Sequence, residues 1–305
     1  MARFGFVLAV VLLVAGRASA CPCSDDGGGG GLLRDDETYA ASLLATSRHA
    51  LGRFDAFGRY SALGAGEREV SEELLLRVAL RLPRRVEWLG ELGYASYRFH
   101  APGLLEQTSG LGDALLRARL RLRDEGMPHE SPWLPAVTAA ALVRAPLGVM
   151  AEHRTTSFGS GGAQLGLGAW ELGLGAEVKR SLSPRFELLA AGELAYRFED
   201  HVLGSARRLG PRADLGLAAR ALPNDWFSTS IAVRTRLTSE VTVAGHALPG
   251  TAERLWSLVL GAAVYDRPSS LRSSLTLSVD PPWGALSVGS TAAAALSVAL
   301  GYGAR

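Results

Sequence analysis

Between Asp113 and Arg123 the chain reads Asp-Ala-Leu-Leu-Arg-Ala-Arg-Leu-Arg-Leu-Arg. Asp113, Arg117, Arg119, Arg121 and Arg123 share one parity, and Ala114, Leu116, Ala118, Leu120 and Leu122 share the other. A period of two defines an extended strand with one charged and one apolar face, because successive side chains leave a strand on opposite sides. A helix would scatter the arginines around its surface. The same two-faced pattern recurs along the chain. A series of such strands is the sequence form of an antiparallel transmembrane β-barrel, apolar toward lipid and polar within.

The start of the chain supports an export route. Arg3 is followed by an apolar run from Phe4 to Gly16, then by Arg-Ala-Ser-Ala before Cys21. A basic start, a short apolar core and an Ala-x-Ala cleavage site predict a secretory signal peptide over 1–20. No later stretch reaches the roughly 18 uninterrupted apolar residues of a spanning helix. The rest of the 305-residue chain is long for one soluble domain but ordinary for one barrel. The formal net charge of +2 gives no strong field toward nucleic acid. The basic residues are almost all arginine; Lys179 is the sole lysine.

Cys21 and Cys23, the only cysteines, form Cys-Pro-Cys at the expected new N-terminus. Three readings stay open. Cys21 could carry lipid, since it directly follows the cleavage site and a polar, glycine-rich tether follows it. Against this, the lipobox leucine is replaced by Ala18. A metal or redox pair lacks nearby histidines or further cysteines to complete a shell. The leading reading is a pair without function at a loose end. Ser24 to Gly31 holds no core-forming residue, so 21–37 reads as a flexible segment and 38–305 as the barrel.

Twelve strands follow from parity and turn signals. The first, Thr38 to Arg48, carries the weakest pattern. Glu72–Arg81 sets Leu74, Leu76, Val78 and Leu80 against Glu73, Arg77 and Arg81. Val86–Phe99 sets Val86, Trp88, Leu92 and Tyr94 against Glu87, Glu91 and Gly93. Asp113–Arg123 is the fourth, and Leu134–Arg144 the fifth. Gln164–Lys179 sets Leu172, Leu174, Ala176 and Val178 against Glu171, Glu177 and Lys179; Leu165 and Leu167 have the opposite parity, which predicts a bulge. Phe186–Phe198 points Glu187, Glu193 and Arg197 inward. Leu209–Ala221 does the same with Arg212, Asp214 and Arg220, and Phe227–Leu237 with Arg234 and Arg236. Leu255–Tyr265, Leu271–Asp280 and Ala292–Tyr302 complete the set. An even number is what bacterial single-chain barrels have.

Connection lengths give an independent check. Tight turns at Pro83, Pro184, Pro223 and Pro268, and a somewhat longer one at Pro128, alternate with long loops at Leu51–Val70, His100–Gly110, Gly148–Ala163, Glu199–Arg208, Ser239–Arg254 and Pro281–Ser290. Short periplasmic turns and long external loops are the outer-membrane pattern. Trp88, Trp133, Phe186 and Trp226 all flank short turns, as an interfacial aromatic belt requires.

Ser109-Gly110-Leu111-Gly112-Asp113, leading into an arginine-rich alternating strand, resembles a motif of the transporter-like outer-membrane barrel family of phenol meta-cleavage-pathway outer-membrane proteins. The resemblance extends over the run of hairpins from Glu72 to Arg305. It implies an outer-membrane channel for small compounds, aromatic ones included. Such barrels often end in an aromatic residue read by the assembly machinery. This chain ends Gly301-Tyr302-Gly303-Ala304-Arg305, so Tyr302 would have to serve from an interior position.

The inward charges alternate in sign between neighbours. Glu87 and Glu91 lie between Arg77 and Arg81 on one side and the arginines of the fourth strand on the other. Glu187 and Glu193 precede Arg212 and Arg220. Such groups can pair laterally. Either they fill a narrow barrel as a packed polar core, or they line a conduit whose arginines favour anions. The candidate lining residues are Glu87, Glu91, Arg117, Arg119, Arg121, Arg123, Glu187, Glu193, Arg212, Arg220, Arg234 and Arg236.

Catalytic signals are thin. A barrel hydrolase needs a histidine held beside a serine. His129-Glu130-Ser131 falls in a turn, and His153 with Ser157 in a loop. The six histidines form no i, i+4 pair, and no phosphate-binding glycine loop is present. No enzyme activity, metal or cofactor is expected. The partners expected are outer-membrane lipid, the barrel-assembly machinery and a small solute, without nucleic acid. The reading is a passive or substrate-selective channel; the alternative is a closed structural or adhesive barrel that binds partners through its external loops.

Overall fold

The computed structural model describes residues 33, 37–55, 57–82, 85–125, 134–148, 168–202, 205–266, 268–282 and 291–304. Cys21, Cys23, Trp133, His129, His153 and the expected signal peptide lie outside them. The strands are β1 (Tyr39–Phe54), β2 (Tyr60–Ala62), β3 (Arg68–Leu82), β4 (Val86–Ala101), β5 (Leu104–Arg123), β6 (Ala136–Ala145), β7 (Glu171–Ser183), β8 (Phe186–Arg197) and β9 (Asp200–Val202). They continue as β10 (Ser205–Arg208), β11 (Arg212–Asn224), β12 (Phe227–Thr238), β13 (Thr242–Val243), β14 (His246–Ala247), β15 (Glu253–Asp266), β16 (Leu271–Val279) and β17 (Thr291–Ala304). Among the described residues, thirteen of these form one sheet: twelve sequential antiparallel neighbours, β1, β3 to β8, β11, β12 and β15 to β17, and the short β2 paired on the end of β1. The sheet closes on itself where β17 pairs with β1, from Tyr39 opposite Ala304 to Arg53 opposite Thr291. Closure satisfies every strand edge, as lipid demands of a spanning sheet.

Across the middle of the barrel the outward face is an apolar belt. On β3, Leu74, Leu76, Val78 and Leu80 are each 42% to 49% exposed. Leu116 and Leu120 on β5, Leu215 and Leu217 on β11, and Leu275 and Leu277 on β16 are exposed in the same way. In water such a continuous apolar belt would drive association; facing acyl chains it is the stable arrangement. Trp88, Phe186 and Trp226 stand beside the short turns, where Tyr39 and Tyr302 also stack with ring centres 6.3 Å apart. A second aromatic group stands at the opposite end, with Trp170 exposed and Tyr196 edge-to-face on Phe198 at 5.2 Å. The two groups are the girdles that mark the interfaces of a membrane barrel.

Beyond the membrane-facing belt the structure departs from the pattern reading. Most of the expected loop His100–Gly110 is strand: β4 and β5 run on to a turn at Pro102 and Gly103, where φ at Gly103 is +78°. The Gly112-Asp113 step forms a bulge, since Leu92 pairs with Ala114 but Tyr94 with Leu111. The parity change before Leu172 is not a bulge within a strand. The chain instead turns at Gly168, with φ +72°, and β7 begins only at Glu171; residues 164–167 lie outside the described set. The loops around Glu199–Arg208 and Ser239–Arg254 carry β9, β10, β13 and β14, which form their own four-stranded sheet. Strand outside lipid needs no apolar face, so it loses the alternation that reveals it.

Candidate functional site

The inward face is a set of ion pairs laid out by register. Arg77 faces Glu91 across β3 and β4 at 3.2 Å. Arg119 on β5 donates to Glu87 on β4 at 3.3 Å and to Glu177 on β7 at 2.7 Å. The second bond passes over β6, whose residues opposite Arg119 and Glu177 are Ala140 and Thr138, too small to block it. Arg117 makes a longer crossing, reaching Glu193 on β8 at 2.7 Å above Leu142 of β6 and Gly173 of β7. A Cβ at Gly173 would come within 2.9 Å of the Leu142 side chain, so glycine is what lets the floor beneath this bridge close up. Near the short turns, Glu187 takes Arg220 at 2.9 Å and Lys179 at 3.7 Å.

A larger network occupies the long-loop end. Glu171, at the start of β7, is wholly buried. It receives Arg144 from β6 at 3.4 Å, Arg197 from β8 at 3.0 Å and Arg212 from β11 at 3.0 Å. Arg212 also bonds Glu193 and Asp214, and Asp214 takes Arg236 from β12 at 2.9 Å. Burial of a charge this deep is tolerable only because several opposite charges surround it. The parity of the sequence placed Glu171, Glu177, Arg197 and Asp214 on the inward face. It could not show that Glu171 anchors three arginines, nor that Arg144, at the end of its strand, is one of them.

Three further sequence-derived candidates have the following surroundings. Arg121 meets Asp124 at 3.5 Å, in an exposed pair. Arg123 follows a register shift between Arg121 and Arg123 and donates to the Pro135 carbonyl at 3.0 Å. Its side chain therefore serves the β5–β6 connection and does not join the other arginines. Arg234 lies between Gly216 of β11 and Ser257 of β15, half-buried.

The opposite wall differs in kind. On β12, β15, β16, β17 and β1 the inward positions include Ser228, Ser230, Gly261, Ser274, Thr276, Ser297 and Ser42. Charge returns there at the two ends. Arg48 meets Asp280 at 2.7 Å at the long-loop end. At the short-turn end Arg272 donates from Nη2 to both oxygens of Glu37 at 2.6 Å, and both side chains are 3% exposed. Leu33 is buried against Ala40, Ala79 and Leu89, neighbours on the inward face of β1, β3 and β4. The end of the segment read as a linker is thus held inside the barrel's short-turn end. Gly303 permits this, because a Cβ there would collide with Arg272 Nη2 and Glu37 Oε1. Among the described residues no group of three His, Cys, Asp or Glu surrounds a metal position.

No known protein family matches the chain by sequence, and no curated protein does so either. Solved structures do match its fold. The outer membrane channel from Pseudomonas putida F1 superposes with a TM-score of 0.69 at 15% identity, covering 94% of this chain and 98% of that one. The translocator domain of the autotransporter NalP from Neisseria meningitidis gives 0.52 at 12% identity, over 88% of each chain. The transport unit of the autotransporter AIDA-I from Escherichia coli gives 0.50 at 10% identity, over 90% of this chain and 93% of that one. The fold is that of an outer-membrane β-barrel, with twelve strands among the described residues.

Proposed function

We propose that this protein is a passive, substrate-selective channel for small solutes in the outer membrane, with an interior lined by the charged residues of β4 to β8, β11 and β12. One observation carries the reading. Charged inward side chains stay in contact with solvent along the barrel: Arg236 at the long-loop end is 51% exposed, Arg117 further in is 29%, and Lys179 toward the short turns is 38%. A packed polar core would bury all three. The full-length likeness to the Pseudomonas putida channel agrees. In this reading residues 1–20 are removed on export, and short turns face the periplasm by the general rule for such barrels. The apolar belt meets lipid, and Tyr302, exposed on the last strand, is the aromatic group offered to the assembly machinery. Lipid on Cys21 would add an anchor and is tested by mass spectrometry of the mature N-terminus.

Single-channel recording of refolded protein in a planar bilayer tests the proposal. Discrete conductance steps are expected. A folded barrel, identified by its heat-modifiable gel mobility, that gives no current would favour the closed structural or adhesive barrel.

A further inference from the structure

The outward face has a sharp edge on β1, β3, β4 and β5. Ala45, Leu74, Tyr94 and Leu111 stand opposite one another there and form the last row that is apolar on every strand. The next outward row toward the long loops is polar on all four: Ser47, Glu72, Ser96 and Ser109. His49, Val70, Arg98 and Gln107 follow, and then Arg68, His100 and Leu105. His49, Arg68, Arg98 and His100 are all exposed. Basic groups thus gather on the lipid side of the β3–β4 hairpin, just beyond the belt.

Arg68 and Arg98 differ from the ion-paired arginines of the interior. Among the described residues no hydrogen bond or ion pair reaches either of them. The carboxylates nearby are turned away or held by other groups. Glu69 faces inward and takes Arg53 at 3.3 Å, and Glu106 lies opposite Phe99 on the inward face. Glu67 accepts from the Gly64 amide at 3.0 Å, and Asp55 meets Arg59 at 3.8 Å. Glu72 shares the outward face, but it sits one row nearer the belt and accepts from the Ser96 hydroxyl at 3.4 Å. Arg68 lies opposite His100 and Arg98 opposite Val70, so the two arginines are diagonal neighbours, about 7–8 Å apart at Cβ. His100 Nδ1 donates to the Gly66 carbonyl at 3.1 Å, which ties the chain just before Arg68 to the strand that carries Arg98.

Height above the belt selects the ligand. Arg98 lies four residues beyond Tyr94 on β4. Four residues of strand span about 13 Å, which a tilt of about 40° reduces to about 10 Å along the membrane normal. Tyrosine favours the boundary between acyl chains and headgroups, so the two guanidinium groups stand in the headgroup zone. Their planar forks match phosphate oxygens. We infer that Arg68 and Arg98, held together by the His100 tie, form a surface site for the phosphate of a phosphorylated lipid headgroup, whose acyl chains lie on Tyr94, Leu74 and Leu111. The site is on the outer wall and is independent of whether the barrel conducts.

Native mass spectrometry of the intact barrel in neutral detergent, titrated with lipid A or with its phosphate-free form, tests the site. The parent should hold lipid A at least about fivefold more tightly than the phosphate-free lipid, and the preference should shrink as salt rises. Equal affinity of the parent for the two lipids would overturn the inference without any variant. Arg68→Gln plus Arg98→Gln should abolish the preference, with the heat-modifiable band confirming the fold. A folded double variant that keeps the parent's preference would overturn the assignment to these arginines. Arg236→Gln plus Lys179→Gln removes the same charge from the inner wall and should leave the preference intact; an equal loss there would reduce the effect to net charge and overturn the site. Inorganic phosphate should displace lipid A poorly, and displacement at equal concentration would make this a site for a free ion and not for a lipid.

Discussion

The two ends of the barrel interior solve the same electrostatic problem differently. At the short-turn end one pair is shut away from water: Glu37 holds Arg272, both 3% exposed, beside the apolar packing of Leu33 on Ala40, Ala79 and Leu89. At the long-loop end eight charged groups share bonds in one network, and Arg236 and Arg144 remain wetted. A pair sealed from solvent has no substitute if one partner is lost, while a wetted network can recruit water or a mobile ion. The first arrangement fixes the residues just before β1 to the wall; the second keeps water at its arginines.

Removing one partner from each end probes this contrast most strongly. Glu37→Gln should cost about 3–5 kcal/mol, the usual penalty for stranding a buried partner, read as a lowered urea midpoint for loss of the heat-modifiable band. Asp214→Asn should cost less, about 1–3 kcal/mol, because Arg212 keeps Glu171 and Glu193 and Arg236 is half exposed to water. Equal losses would erase the distinction between a sealed and a wetted end. The two faces of the wall sharpen it further. Leu120→Arg puts a charge on the apolar belt and should cost about 2–4 kcal/mol toward the midplane and less nearer an interface. Arg236→Leu removes a half-exposed inward charge and should change stability little; the reverse order would mean that the faces are inverted. Arg119 is unsuited to that comparison, because its loss strands Glu87 and Glu177 together. Gly303→Ala should destabilise by about 1–3 kcal/mol through overpacking, since its new methyl group meets the Glu37–Arg272 pair. A neutral result would show that the pair can move aside. The smallest perturbation tests orientation alone. In a background with Cys21→Ser and Cys23→Ser, Ala247→Cys in the loop sheet should react with an impermeant thiol reagent on intact cells, and Asp225→Cys in the β11–β12 turn should not.

The strands that cross the apolar belt were legible in the sequence, and for one reason. Lipid outside and water or charge inside impose opposite chemistries on alternate residues, so runs such as Leu74–Arg81 or Asp113–Arg123 fix both the strand and its faces. The same logic set Arg77 on the strand beside Glu91 and Arg220 on the strand beside Glu187, with parities that allow lateral pairing; which carboxylate each arginine meets came from the register. Where the constraint lapses, the reading lapsed too. Leu104–Gly110, β2, β9, β10, β13 and β14 fall outside the regular alternation and read as loop. Tertiary structure alone decided contacts that skip strands or join distant segments. Arg119 reaches Glu177 because β6 offers only Ala140 and Thr138 between them, and Glu37 finds Arg272 because barrel closure brings β1 to β17 and so near β16. Alternation says which way a side chain points; how far an arginine reaches across a curved wall depends on the barrel's radius and on the size of what lies beneath, and neither is written in a period of two.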